Sequence, residues 1–165
     1  MPKERFTMRM LTLILFVVLV AACEAPRVRS ATPELQSCPT LAITYFRKPL
    51  KQTIAEFTSY GLETQYTIYL CGNQYMHPPA LHLATQFASG GQRAAVFLKE
   101  KLSQMDDDAT IRDIVRVFVE MQRQGTYDVK GDSLLIQLLN EKVRSIQDGY
   151  WQNFCRELMG EIEGN

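Results

Sequence analysis

From Thr110 to the C-terminus this 165-residue chain repeats its apolar residues at the spacing of an α-helix, and no other feature constrains its fold as much. Ile111, Ile114, Val115, Phe118 and Met121 fall on one stripe of residues 110–124, and Gly125 is placed to end that helix. Asp132 is placed to N-cap a second helix from Ser133, carrying Leu135, Leu138, Leu139, Val143 and Ile146. Gly149 either stops that helix or loosens it. Trp151, Phe154, Cys155, Leu158, Met159 and Ile162 then continue the period to the C-terminus. Apolar residues three and four apart share one helix face, and each such face needs a neighbour to cover it.

The preceding stretch reads the same way, less cleanly. Residues 41–60 are expected to be helical, with Pro49 either interrupting them or opening a second segment at its N1 position. Beyond it Leu50, Ile54 and Phe57 keep helical spacing, and Gly61 is a sensible stop. Residues 62–75 are ambiguous. Tyr66-Thr67-Ile68-Tyr69-Leu70 has strand-like composition, but Leu62, Tyr66, Tyr69 and Leu70 also form a helical face, and helical neighbours tip the expectation to helix. His77-Pro78-Pro79 breaks the chain. A helix then opens at Pro79 or Ala80, runs through Leu83, Ala84, Phe87 and Ala88, and closes at Ser89-Gly90-Gly91. Residues 92–104 place Ala95, Leu98 and Leu102 on one side, with Met105 just beyond. Asp106, Asp107 and Asp108 suit the start of the next helix.

The prediction is an all-α domain of about six or seven helices, as a small irregular helical bundle or a short α-solenoid-like stack. Residues 79–143 resemble helical-hairpin repeats of the HEAT kind in architecture alone, since no repeated residue signature aligns.

The N-terminus carries a different message. Lys3, Arg5 and Arg9 face one acidic residue, Glu4, and about eleven residues follow in which Thr12 is the only polar one. Ala21, Ala22 and Cys23 end the run. This is the basic, apolar and small-residue order of a secretory signal, and the run is short of the roughly 20 residues a membrane span needs. Val20-Ala21-Ala22-Cys23 resembles the lipobox of bacterial lipoproteins. The resemblance implies removal of residues 1–22, a diacylglyceryl thioether on Cys23 and an acyl chain on its new amino group. Each buried methylene contributes about 0.8 kcal/mol, so two or more chains anchor stably. Met8 is an alternative start that keeps a basic n-region. The competing readings are an ordinary secretory signal with a chance cysteine, or an uncleaved anchor helix. Glu24 replaces the aspartate that favours inner-membrane retention in enterobacterial lipoproteins, which points to the outer membrane.

Removing 22 residues from 165 leaves 143, the size of one domain. Residues 23–37, with two prolines and small polar residues, read as a lipidated cysteine and flexible tether, and residues 38–165 as a single helical periplasmic domain. Lys plus Arg and Asp plus Glu number 18 each, so no basic field recruits nucleic acid. With Cys23 lipidated, Cys38, Cys71 and Cys155 remain in an oxidising compartment. Three pairings are open. We favour Cys38–Cys71, leaving Cys155 on an apolar helix face as a small hydrophobe.

No catalytic constellation stands out. His77 and His82 across the proline pair match no zinc spacing, the aspartate run lacks the other ligands of a calcium loop, and Gly90-Gly91 lacks the lysine of a phosphate loop. Neither a catalytic role, a metal nor a cofactor is expected. Tyr60, Tyr66, Tyr69 and Tyr75 either bury their rings with hydroxyls at the rim or form a partner-binding surface. The expected job is a membrane-anchored, periplasm-facing accessory module that binds an envelope protein, such as a secretion or assembly accessory or an immunity-type protein. The alternative is an envelope ligand-binding protein or hydrolase with a site between helices.

Overall fold

The computed structural model describes residues 33–164, and the signal, lipobox and most of the tether lie outside them. Among the described residues the protein is all-α, with one 3-10 helix, Pro33–Ser37, and eight α-helices. These are α1 (Cys38–Thr44), α2 (Leu50–Ser59), α3 (Leu62–Gln74), α4 (His82–Ala88), α5 (Gly91–Ser103), α6 (Asp108–Gln124), α7 (Ser133–Ser145) and α8 (Gly149–Glu163). No described helix is long and apolar enough to cross a membrane.

The last three helices start at aspartates. The Asp107 carboxylate accepts from the Thr110 amide at 2.8 Å, and Asp132 accepts from the Leu135 amide at 3.0 Å. Asp148 accepts from the amides of Tyr150 and Trp151 at 2.9 and 3.1 Å. Each cap satisfies amides that have no partner inside the helix. Gly149 therefore sits in the first turn of α8 and neither stops nor loosens α7, which has already ended at Ser145. Gly125 closes α6 with φ +65°, a left-handed conformation that a side chain would strain.

Two expectations at the N-terminal end need correction. Pro49 is the N-cap of α2 rather than its N1 residue, with extended ψ of 141°, and the chain before it leaves α1 after Thr44. Order also begins before Cys38. Residues Pro33–Ser37, expected in the tether, form a 3-10 helix because Leu35 has apolar cover against the core. The ambiguous segment is a helix, and its β-branched and aromatic residues are core: Tyr66, Ile68, Tyr69 and Leu70 are all buried.

α6 is the centre of the domain. It packs most extensively on α4 and α8 and also touches α3, α5 and α7, so its buried surface exceeds one stripe and includes Val117, Val119, Thr110 and Asp113. Contacts between α6 and α8 keep a constant sequence offset. Asp108 meets Gln147 and Asp148, Arg112 meets Trp151, Arg116 meets Phe154 and Arg123 meets Glu161, each pair 38–40 residues apart. A constant offset means that the two helices run parallel in register. The C-terminal ends of α4 and α6 repeat it, since Gln124 donates to the Thr85 carbonyl and Thr126 to the Ala88 carbonyl, 39 and 38 residues apart. Helices α4, α6 and α8 thus form one layer, with α5 and α7 as the returning helices. The C-terminal part of the domain is the stack of the two predicted architectures.

The N-terminal part is an aromatic plug under that layer. Phe57, Tyr66, Tyr69, Phe87 and Phe97 touch ring to ring at centroid distances of 5.7–6.3 Å. A disulfide joins Cys38, the first residue of α1, to Cys71 in α3. It closes a loop with a sequence separation of 33 that holds α1, α2 and most of α3. Cross-linking a loop of that length removes unfolded-state entropy equivalent to about 3–4 kcal/mol. The Cys38→Ala, Cys71→Ala double variant should lose about 3–4 kcal/mol of unfolding free energy in a urea titration, with a correspondingly lower midpoint; an unchanged unfolding free energy would show that the bond contributes nothing.

Asp132 ties the second layer together. Besides capping α7, its carboxylate accepts from Lys99 Nζ of α5 at 2.7 Å and from the Tyr127 hydroxyl. The Lys99 and Tyr127 hydrogen bonds pull the Asp132 pKa down to about 2, and the same carboxylate pushes the Tyr127 phenol up to about 12. A folded pKa below the unfolded one gives stability that is present above the unfolded value, near pH 4, and lost as pH falls toward 2. Asp132→Asn keeps a capping oxygen but not the charge. It should flatten the acid limb of the stability curve over that window by about 1–2 kcal/mol, measured by urea unfolding at stepped pH. Equal slopes for variant and wild type would contradict the assignment.

Candidate protein interface on α6 and α8

The seam between α6 and α8 is built as a ladder of guanidinium groups and rings. The Arg112 guanidinium lies 4.3 Å from the Trp151 ring centroid, and that of Arg116 lies 5.5 Å from Phe154. Tyr150 stacks edge-on against Trp151 at 4.9 Å, and Trp151 meets Phe154 at 6.0 Å. Cation–ring contacts of this kind contribute about 0.5–2 kcal/mol, more as water is excluded. Trp151 and Phe154 are partly buried against the core, while Tyr150 is 71% exposed.

The ladder is held from behind. Asp113 is buried on the neighbouring face of α6, where its Oδ1 accepts from Arg112 Nε and Nη2 at 2.9 and 2.7 Å. Its Oδ2 accepts from Gln74 Nε2 of α3 at 2.9 Å, and the Tyr69 hydroxyl donates to the Asp113 carbonyl at 2.7 Å. A chain of contacts therefore runs from α3 through Gln74, Asp113 and Arg112 to Trp151. Burial pushes the Asp113 carboxyl upward even though Arg112 opposes the shift. A raised carboxyl pKa means that the ionised form is disfavoured by folding. The ion pair costs stability as pH rises through that range and relaxes as pH falls, the reverse of Asp132. Its effect lies in geometry, since it fixes where Arg112 points.

A second anchor fixes where α8 begins. Asp108, buried in the first turn of α6, accepts from the backbone amides of Gln147 and Asp148 at 3.0–3.3 Å. Asp148 in turn holds the Tyr150 and Trp151 amides. Two linked carboxylates place the rings at the head of α8 against the guanidinium groups of α6.

The residues singled out in the sequence are distributed otherwise. Tyr66 and Tyr69 are fully buried and are unavailable to a partner surface, and the Tyr69 hydroxyl points inward to α6 rather than to the rim. Tyr60 and Tyr75 are exposed, but they cap α2 and α3 at opposite ends of α3. The four tyrosines do not form one face. Cys38 and Cys71 are bonded, and Cys155 is free and buried, its thiol pushed up to about 11 by burial. Cys23 lies outside the described residues. His77 and His82 are exposed, and among the described residues no three His, Cys, Asp or Glu side chains gather as metal ligands do.

Depressions among the described residues include two that bear on a ligand. A polar cleft of about 280 Å³ between the α2–α3 and α4–α5 turns is lined by Thr58, Tyr60, Gln65, Gln86, Ser89 and Arg93, among others. Its described lining holds one cation and no carboxylate, imidazole or thiol. A shallower, mostly apolar groove of about 350 Å³ lies between α1 and α3, with Leu41, Thr64, Thr67 and Ile68 along it.

Sequence reasoning missed Arg112, Asp113, Arg116 and Tyr150. The available signal was a pair of arginines four apart on one helix and aromatic residues three apart on another, but their pairing depends on a register between helices. No protein family, no curated protein and no solved structure matches this chain.

Trp151 is the only tryptophan, so its fluorescence reports on the ladder alone. Asp113→Asn removes the charge that orients Arg112 while preserving the side chain's shape. The variant should keep its far-UV helix signal but show red-shifted Trp151 emission that acrylamide quenches more readily. Emission identical to wild type would mean that Asp113 does not position the ladder.

Proposed function

We propose that the protein is a lipid-anchored, periplasm-facing module of the bacterial cell envelope that binds another protein and has no catalytic role. The address rests on Val20-Ala21-Ala22-Cys23 after a basic and apolar leader, and on a disulfide that suits an oxidising compartment. The outer membrane is the proposed site, from Glu24 after the anchor cysteine. The observation that carries the binding role is the partly exposed Tyr150-Trp151-Phe154 group pinned by Arg112 and Arg116. Trp, Tyr and Arg dominate the energetics of protein interfaces, and a surface held rigid beforehand loses less entropy on binding. Accessory subunits of secretion or assembly machines and immunity-type proteins are the jobs this combination fits.

The polar cleft at Arg93 supports the second reading, an envelope ligand-binding protein. The groups lining it offer hydroxyls, amides and one positive charge, which suit a polar or anionic ligand.

Replacing Cys23 with serine tests the address. In cells grown on labelled palmitate, wild-type protein should take up label and sediment with membranes, and Cys23→Ser should do neither. Unchanged label and membrane retention in the variant would remove the anchor from the account.

A further inference from the structure

We propose that the α6–α8 ladder is the docking site for a protein segment that presents a carboxylate beside an aromatic or aliphatic side chain. This inference rests on the protein-binding reading above and names the chemistry of the partner.

The charges along the ladder decide the partner's sign. Arg112 is matched internally by Asp113, and Arg123 is held by Glu120 and Glu161. Arg116 lies between them in sequence and against Phe154, with no described carboxylate within ion-pair distance. It is partly buried already. Arg116 feels only the longer-range attraction of the buried Asp113, whose carboxylate is already paired with Arg112. A partner that covers Phe154 and Trp151 takes water away from Arg116, and a cation stripped of water without an ion-pair partner of its own is unfavourable. The covering surface must therefore bring an anion to that guanidinium, and a lysine or arginine there would be repelled. Beside Arg116 the exposed Tyr150 ring and the parts of Trp151 and Phe154 left open by the core and the arginines offer apolar surface to a partner.

The same charges argue against a membrane surface as the occupant. Along residues 112–123 of α6 and 150–161 of α8, Arg112, Arg116, Arg123 and Arg156 are balanced by Asp113, Glu120, Glu157 and Glu161. That leaves no net field for an anionic bilayer, which is drawn by clustered cations. Trp151 and Phe154 are packed down on the core rather than projecting as membrane-inserting rings do.

The test presents the mature lipidated protein, in detergent micelles, to a phage-displayed library of short random peptides. Enriched peptides should carry Asp or Glu adjacent to Trp, Phe, Leu or Ile. They should bind Arg116→Glu at least about tenfold more weakly, which is about 1.4 kcal/mol, and Tyr150→Ala measurably more weakly. Both positions reach solvent and make no described ion pair, so the far-UV helix signal should stay as in wild type, while Arg116→Glu should melt somewhat lower through the lost contact with Phe154; Arg116→Gln is the substitute should charge reversal perturb the fold. No enrichment, enrichment without an acidic residue, or equal binding to the Arg116 variants would overturn the proposal. So would Arg116-dependent binding to phosphatidylglycerol vesicles in place of peptides. A crosslinked envelope protein mapping outside α6 and α8 would sink this assignment and leave the protein-binding reading standing, whereas loss of the anchor at Cys23 would sink the proposed address and leave this assignment standing.

Discussion

One buried carboxylate sets the geometry of the C-terminal layer. Asp108 opens α6 and accepts the amides of the two residues that lead into α8. The hydrogen bonds pin the head of α8 to the head of α6, so the two helices run parallel with a fixed offset down to Arg123 and Glu161. An α7 of 13 residues spans the return between them. A slip of one residue would rotate Trp151 and Phe154 about 100° around α8, away from Arg112 and Arg116. The ladder thus depends on a polar anchor at one end of a mostly apolar contact.

The two buried aspartates of α6 divide the work. Asp108 satisfies backbone amides that would otherwise lack partners, and unmet buried donors cost about 1–3 kcal/mol each. Asp113 holds Arg112 by a pair of hydrogen bonds, yet burial outweighs the attraction and raises its pKa. A hydrophobic pair of similar volume could serve stability as well or better, so the retained charge is best understood through the direction it gives to Arg112 and hence to Trp151. Rigidity of that kind matters little to a core and much to a binding surface.

Much of the fold could be read from the chain. The apolar periods placed seven of the eight described α-helices, all but α1, and Asp132 and Gly125 act at the ends where capping rules put them, with Asp107 the one of three aspartates that caps α6. The pairing of Cys38 with Cys71 was the favoured one of three. Tyr66 and Tyr69 take the buried one of the two readings open to them, because α3 is covered on several sides, but the Tyr69 hydroxyl turns inward to α6 and not to the rim. Trp151 and Phe154 keep the helical period and pack on the core, and the arginines that lie over their outer edges come from 38–39 residues away. Period describes one helix at a time. Which polar residue of one helix meets which ring of another is set by offset, and nothing local encodes it.

Amide hydrogen exchange at Asp148 is the most direct probe of that offset. The residue lies in the short link between α7 and α8, where an amide ordinarily exchanges at near the rate of an open loop. Bonded to the Asp108 carboxylate at 3.0 Å, it should be protected to the level of the α8 amides that follow it, and Asp108→Ala should abolish that protection. Exchange of Asp148 at loop rates in the wild-type protein would mean that α6 does not fix the start of α8, and the preformed ladder would have no foundation.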